Sequence, residues 1–242
     1  MSQEVVAQLA PTGVLRAGIN MSNFLLVTGE TSDGDPDGVS PDMARALAER
    51  LGVGCKLIPF KSPGEIADAA GKNIWDIGNI GAEPQRAEVM DFTAAYVEIE
   101  ATYMVPAGSP IQSVDEVDRE GVRIAHPPRS AYGLWLANNI KHATLVPADG
   151  LAGSFDLFVK EGLEALAGLR PGLVTDVEKV PGARILDGQF SAVQQAMAAN
   201  KGNDAAYAFL KDFVEEQKSS GFVASLIEKH GVVGRLSVAP PA

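Results

Sequence analysis

Short apolar runs separated by turn residues recur along the chain, and they alternate between strand-like and helix-like spacing. Residues 13–20 (GVLRAGIN) predict a strand, and residues 41–51 (PDMARALAERL) predict a helix with Ser40 as N-cap and Pro41 at its first position. The polar stretch between them, residues 29–38 (GETSDGDPDG), reads as a surface loop. A strand follows at 55–60, then a helix opened by Ser62-Pro63 and running to about Gly71, then a strand at 75–80. After a long extended run at 94–105 the alternation restarts: helix 113–118, strand 122–125, helix 130–140, strand 144–147, helix 154–161, strand 163–169, helix 172–180 and strand 183–186. Residues 203–230 are helical with an interruption at Ser219-Ser220-Gly221. Strands and helices alternating at this spacing imply βαβ units and a mainly parallel sheet in an α/β fold.

Length and composition narrow the class. The 242 residues suffice for one large or two small domains. A hydrophobic content of 46% with 21% charged residues is that of an ordinary globular protein, and no apolar run is long enough for a membrane helix. A net charge of −11 repels phosphate backbones, so nucleic acid is excluded as a partner. Cys55 is the only cysteine, so there is no internal disulfide and no Cys-rich metal site. The first residues lack the basic start and apolar core of a secretion signal, so the chain is expected either to stay in the cytoplasm or to have lost a signal and gained an initiator methionine.

The common catalytic signatures are missing. His126, His142 and His230 lie far apart with no ligand-spaced neighbours, which reads as surface or loop histidines and no metal site. There is no G-x-S-x-G, no P-loop and no G-x-G-x-x-G, and nothing calls for a cofactor or assigns a catalytic residue. Ser130 has no evident base beside it and reads as a helix N-cap or a ligand contact. Trp75 and Trp135 read as core. What stands out is residues 80–93 (IGAEPQRAEVMDFT), where Arg86 follows Pro84 by two residues and Glu83 by three. Such an arginine either grips a small anion or forms a salt bridge with Glu83 or Glu88 on an exposed turn.

Taken with GVLRAGIN and GVSPDMARALAERLGV, the stretch WDIGNIGAEPQRAEVMDFTAAYVEIEATYMVPAGS resembles the family 3 extracellular solute-binding proteins, over about residues 12–231. The resemblance implies a two-lobed periplasmic-binding-protein-like fold (type II), with two α/β lobes joined by two hinge strands and ligand held in the interlobe cleft. Lobe 1 would comprise residues 1–104 and 194–242, and lobe 2 residues 105–193, with crossings near Tyr103-Met104-Val105 and Gln189-Phe190-Ser191. It also implies a monomer that serves an ABC transporter permease from the periplasm, if a signal was removed.

The same resemblance places residues. Arg86 stands where a family arginine forks onto a ligand carboxylate, a geometry that suits the planar guanidinium. Gly81 and Glu83 stand where the pattern carries two hydroxyl residues, and a carboxylate there changes the ligand or neutralises Arg86. Arg129-Ser130-Ala131 matches a turn whose helix N-terminus meets the ligand, with Arg129 replacing a glycine. Leu169 or Arg170 occupies the place of the aspartate that meets an α-ammonium, so a dicarboxylate, keto acid or other small polar acid suits Arg86, Arg129 and Arg170 better than an ordinary amino acid. Asn20 and Phe24 align with the loop that supplies an acidic residue and an aromatic stack. The leading expectation is a non-enzymatic binding protein for a small carboxylate-bearing solute. The alternatives are a dehydratase of the cyclohexadienyl dehydratase type, with Glu83 as its acid, and a ligand-sensing domain.

Overall fold

The computed structural model describes residues 2–242. The chain forms two compact units, one from Met1–Glu98 with Gln194–Ala242 and the other from Ile99–Val193. The first segment runs α1 (Gln3–Leu9), β1 (Val14–Asn20), β2 (Gly29–Glu30), β3 (Pro36–Asp37), α2 (Val39–Leu51), β4 (Gly54–Phe60), α3 (Pro63–Asp68), β5 (Ile77–Gly81), α4 (Pro84–Ala87) and β6 (Met90–Phe92). The middle of the chain gives β7 (Val97–Val105), β8 (Arg123–His126), α5 (Ala131–Asn139), β9 (Thr144–Pro147), α6 (Gly150–Glu161), β10 (Ala165–Leu169), α7 (Arg170–Val177) and β11 (Arg184–Ile185). The chain then returns through β12 (Ser191–Asn200) to α8 (Asp204–Ser219), α9 (Phe222–Lys229) and β13 (Ser237–Val238).

In unit 1 the strand order is β4-β1-β5-β12, with β6 also on β12. Strands β4, β1 and β5 are parallel, whereas β12 runs antiparallel to β5 with Ala196 opposite Ile80. Unit 2 repeats the scheme: β9, β8 and β10 are parallel, and β7 runs antiparallel to β10 with Leu166 opposite Met104. Each sheet is therefore mixed, three parallel strands closed by an antiparallel one, rather than simply parallel. In unit 1 Ile66, Trp75, Ile80 and Met90 pack together, and the Trp75 indole donates to the Ile66 carbonyl at 3.0 Å. In unit 2 Met104, Phe158, Leu163 and Leu173 form the corresponding core.

Several local expectations change. Helix α2 begins at Val39, one turn-position ahead of Ser40, and its N-cap is Gly38 with φ 150°. A Cβ on Gly38 would lie 2.2 Å from the Leu26 carbonyl oxygen, so only glycine admits this close approach. Ser40 and Pro41 consequently sit inside the buried first turn, where a missing N–H costs no intrahelical bond. The polar stretch 29–38 is not simply a loop, since β2 and β3 pair as a small hairpin. The expected helix at 113–118 shrinks to a single 3-10 turn at Val114–Glu116. Asp118 is drawn out of it to accept the amides of Lys141, His142 and Ala143 at 2.7–3.1 Å. Burial alone would raise the Asp118 pKa, but these backbone donors outweigh it and hold the carboxyl below its ordinary value.

Trp135 is half-buried rather than a core residue, and its ring lies 5.2 Å from that of Phe190, which in turn lies 4.4 Å from Tyr103. His126 and His230 are not surface residues. His126 is buried at the end of β8, and His230 packs against Asp42 at 2.8 Å; His142 alone is exposed.

Candidate functional site

Topology singles out one edge of each sheet. The chain passes from β1 outward to β4 and then back across β1 to β5, so the direction of winding reverses between β1 and β5. In unit 2 it passes from β8 to β9 and back across β8 to β10, which puts a second reversal between β8 and β10. In open α/β sheets ligands collect outside the carboxyl ends of strands at such switch points. Asn20 and Gly81 end β1 and β5, and His126 and Leu169 end β8 and β10.

The unit 1 edge is built around β5. Its five residues are all buried, and Gly81 ends the run. Ala82 then donates to the Gln194 carbonyl at 2.7 Å, Glu83 becomes the N-cap of α4, and Pro84 occupies the first turn. This one-turn helix carries Arg86 back towards the strand end, where Nη1 donates to the Gly81 carbonyl at 2.7 Å. Arg86 is only 3% exposed. The Asp-Phe-Thr run that follows is a sheet anchor: Phe92 lies opposite Ala198 on β12, and the buried Thr93 hydroxyl accepts from Met197 at 3.2 Å.

Glu83 is half-buried, and its side chain makes no capping hydrogen bond. Burial pushes its carboxyl up to about 7, with the Arg86 charge pulling the other way. A tight ion pair between the two would have reversed that balance. The solvent-exposed salt bridge on a turn therefore does not describe this segment. Asn20, also at this edge, spends its side-chain oxygen on the Ser22 amide at 3.1 Å and the Ser22 hydroxyl at 2.7 Å. The Phe24 ring lies beneath the Arg235 guanidinium, 5.6 Å from its centre.

At the unit 2 edge, the Pro127-Pro128-Arg129 turn leads from β8 into α5. The Ser130 hydroxyl caps the helix, accepting from the Gly133 amide at 3.0 Å and donating to the Pro127 carbonyl at 2.8 Å. Ala131 is buried and Arg129 exposed. A Cβ on Gly133 would stand 2.1 Å from the Pro127 oxygen. Gly133→Ala is accordingly expected to push the turn off the helix and cost about 1–3 kcal/mol in urea unfolding; an unchanged midpoint would show that the turn relaxes freely. His126 is the residue that sequence spacing does not reveal here. Burial lowers its pKa, the Pro127 carbonyl accepts from its ring, and its Nδ1 is buried without a hydrogen-bond partner. The only advance signal is its place at the end of an apolar strand.

Arg170, at the first position of α7, is held within unit 2. Its Nε donates to Glu100 at 2.7 Å, and Nη2 donates to the carbonyls of Leu186 and Gly188. The structure thus brings Arg86, Glu83 and Gly81 together at one strand end and Ser130, Ala131 and Arg129 together at another, while Arg170 is tied to Glu100. For a metal, the grouping with suitable geometry among the described residues is Asp37, Asp42 and His230, with ligand atoms within 4.8 Å of one another. Arg45 and Lys229 already meet the Asp42 carboxylate at 2.9 and 2.7 Å, so this is an ion-pair network rather than a vacant ligand set.

Residues 15–233 match the bacterial extracellular solute-binding proteins, family 3, and the chain belongs to that family. Its fold is that of the two-lobed type II periplasmic binding proteins. The L-cystine-binding protein TcyJ of Escherichia coli K12 is 24% identical over 201 residues, covering 81% of this chain and 75% of that protein. The solved solute receptor for L-cysteine of Neisseria gonorrhoeae superposes with a TM-score of 0.74 at 18% identity, covering 98% of this chain and 100% of that one. An ancestral amino acid-binding protein, a precursor of cyclohexadienyl dehydratase, superposes with a TM-score of 0.72 at 21% identity, covering 93% and 98%. No helix among the described residues is long and apolar enough to cross a membrane.

Proposed function

We propose that this chain is a non-enzymatic substrate-binding protein that captures a small carboxylate-bearing solute and delivers it to an ABC importer from the periplasm. The observation that carries the reading is the buried Arg86 guanidinium at the carboxyl end of β5, beside the winding reversal of unit 1. A permanently charged, planar donor at that position suits a carboxylate, and Arg129 of unit 2 adds positive charge beside the capped α5 terminus. The monomeric state, the permease partner and capture in a cleft between lobes 1–104 with 194–242 and 105–193 belong to the same proposal. Ligand contacts made only on closure would drive the shift between open and closed forms. Relatives named for cystine and cysteine binding support an amino-acid-like solute.

A thermal-shift screen of amino acids, keto acids and dicarboxylates tests this directly. A true ligand at about 100 times its Kd adds about 2.7 kcal/mol and a clear rise in Tm; no response to any carboxylate refutes the reading. One observation favours a second reading, a dehydratase: Glu83 is a carboxyl group held half-protonated near neutral pH, as a general acid requires. Incubation with prephenate and arogenate is expected to give no product, and turnover that Glu83→Gln abolishes would move the protein into that class.

A further inference from the structure

We propose that Glu83 is the acceptor for an ammonium group of the ligand, so that unit 1 alone supplies partners for both charges of an α-amino acid: Arg86 for the carboxylate and Glu83 for the ammonium. The inference rests on the solute-binding reading above and names its substrate class.

Its basis is where carboxyl groups stand at the four strand ends beside the winding reversals. At the end of β10 the chain offers Leu169 and Arg170, and the carboxylate nearest in space, Glu100, is engaged by the Arg170 guanidinium. Asn20 is neutral and closes on Ser22. The β8 end supplies His126, Arg129 and the Ser130 cap, with no carboxylate. Glu83 is thus the carboxyl group placed at one of these edges without a protein cation bonded to it. It stands three residues from Arg86, at the turn where that guanidinium folds back on Gly81.

The surrounding charges do not compete. Arg86 acts on Glu83 electrostatically, Asp91 of β6 is paired with Lys201, and Glu88 is exposed. Removing Arg170 from the list of ligand-facing cations also removes a reason to favour a dicarboxylate over a zwitterion. In the unliganded protein burial keeps Glu83 about half neutral at pH 7. An arriving ammonium favours the carboxylate, so capture expels a proton from Glu83 into solvent.

The test compares L-cysteine, L-arginine, L-lysine and L-glutamate, each beside its α-keto acid, by calorimetry at pH 6 to 8. The unaltered protein is expected to bind at least one amino acid at least tenfold more tightly than its keto acid. In buffers of differing ionisation enthalpy that binding should release about half a proton at pH 7 and more at pH 6, with affinity falling as pH drops below about 7. Glu83→Gln should abolish the proton release and weaken the amino acid about ten- to hundredfold while leaving the keto acid within about threefold. Keto acids binding as well as amino acids, or proton release and affinity surviving in Glu83→Gln, would overturn the inference and leave the solute-binding reading standing. Binding by neither class would refute both. The proton count on the unaltered protein decides the matter even if the variant fails to fold.

Discussion

Arg86→Ala is expected to abolish the ligand-induced rise in Tm. The guanidinium is nearly fully buried and keeps its charge there, so its desolvation is already borne by the fold, and a carboxylate arriving at the β5 end meets an oriented donor. Two charge-assisted hydrogen bonds at about 1.5–3 kcal/mol each put the loss of affinity at roughly 10²- to 10⁴-fold. The unliganded variant should also melt slightly earlier, by about 1–2 kcal/mol, because the Gly81 carbonyl loses the donor that meets it at 2.7 Å. Arg86→Lys separates the two effects: it restores charge without the planar fork, so part of the affinity should return while the Gly81 contact stays weakened. A ligand response unchanged in Arg86→Ala, with only the stability loss present, would make Arg86 a strand-end clasp and nothing more.

Local chemistry and long-range environment divide what the sequence discloses. Strand β9 and the break between α8 and α9 follow from turn residues and apolar spacing in their own neighbourhoods. Helix α1 does not announce itself, because its seven residues are too few to be stable alone. It is held by packing on α8, where Gln8 accepts from the Ala206 amide at 2.8 Å. Strand β12 is rich in alanine and glutamine, residues with weak strand preference, and takes its form from pairing with β5 and β6. At the candidate site the same division holds. The spacing of Glu83 and Arg86 is local and legible, but the burial of both, the capture of Arg170 by Glu100 and the use of the Ser130 hydroxyl as a cap are not. Those facts depend on partners far along the chain or on backbone geometry, so residue type suggests a ligand contact that only three-dimensional placement can separate from a structural bond.

The largest effect on stability is expected at Asp42. This carboxylate is 7% exposed on α2 and meets Arg45 at 2.9 Å, Lys229 at 2.7 Å and His230 at 2.8 Å, tying α2 to the far end of α9. Removing it leaves the His230 side chain, itself buried, without its acceptor, and frees the end of α9 from the body of unit 1. Loss of one partner of a buried pair costs up to about 3–5 kcal/mol. Lys229 and Arg45 are partly solvated and their share is screened, which brings the expectation for Asp42→Ala to about 2–4 kcal/mol. The pH dependence gives the mechanism a signature. Burial would raise the Asp42 pKa, but the bonds from Lys229, His230 and Arg45 outweigh it, so the folded value lies below the ordinary 3.8. A depressed folded pKa contributes stability that is fully present well above the unfolded value of about 3.9 and is lost as pH falls through it towards the folded one. Urea midpoints should therefore differ most between the unaltered protein and Asp42→Asn at pH 7 and converge as pH falls below about 4. A gap that stays constant into acid would mean that Asp42 acts by shape and hydrogen bonding in either protonation state, and that its charge contributes nothing to holding α9 in place.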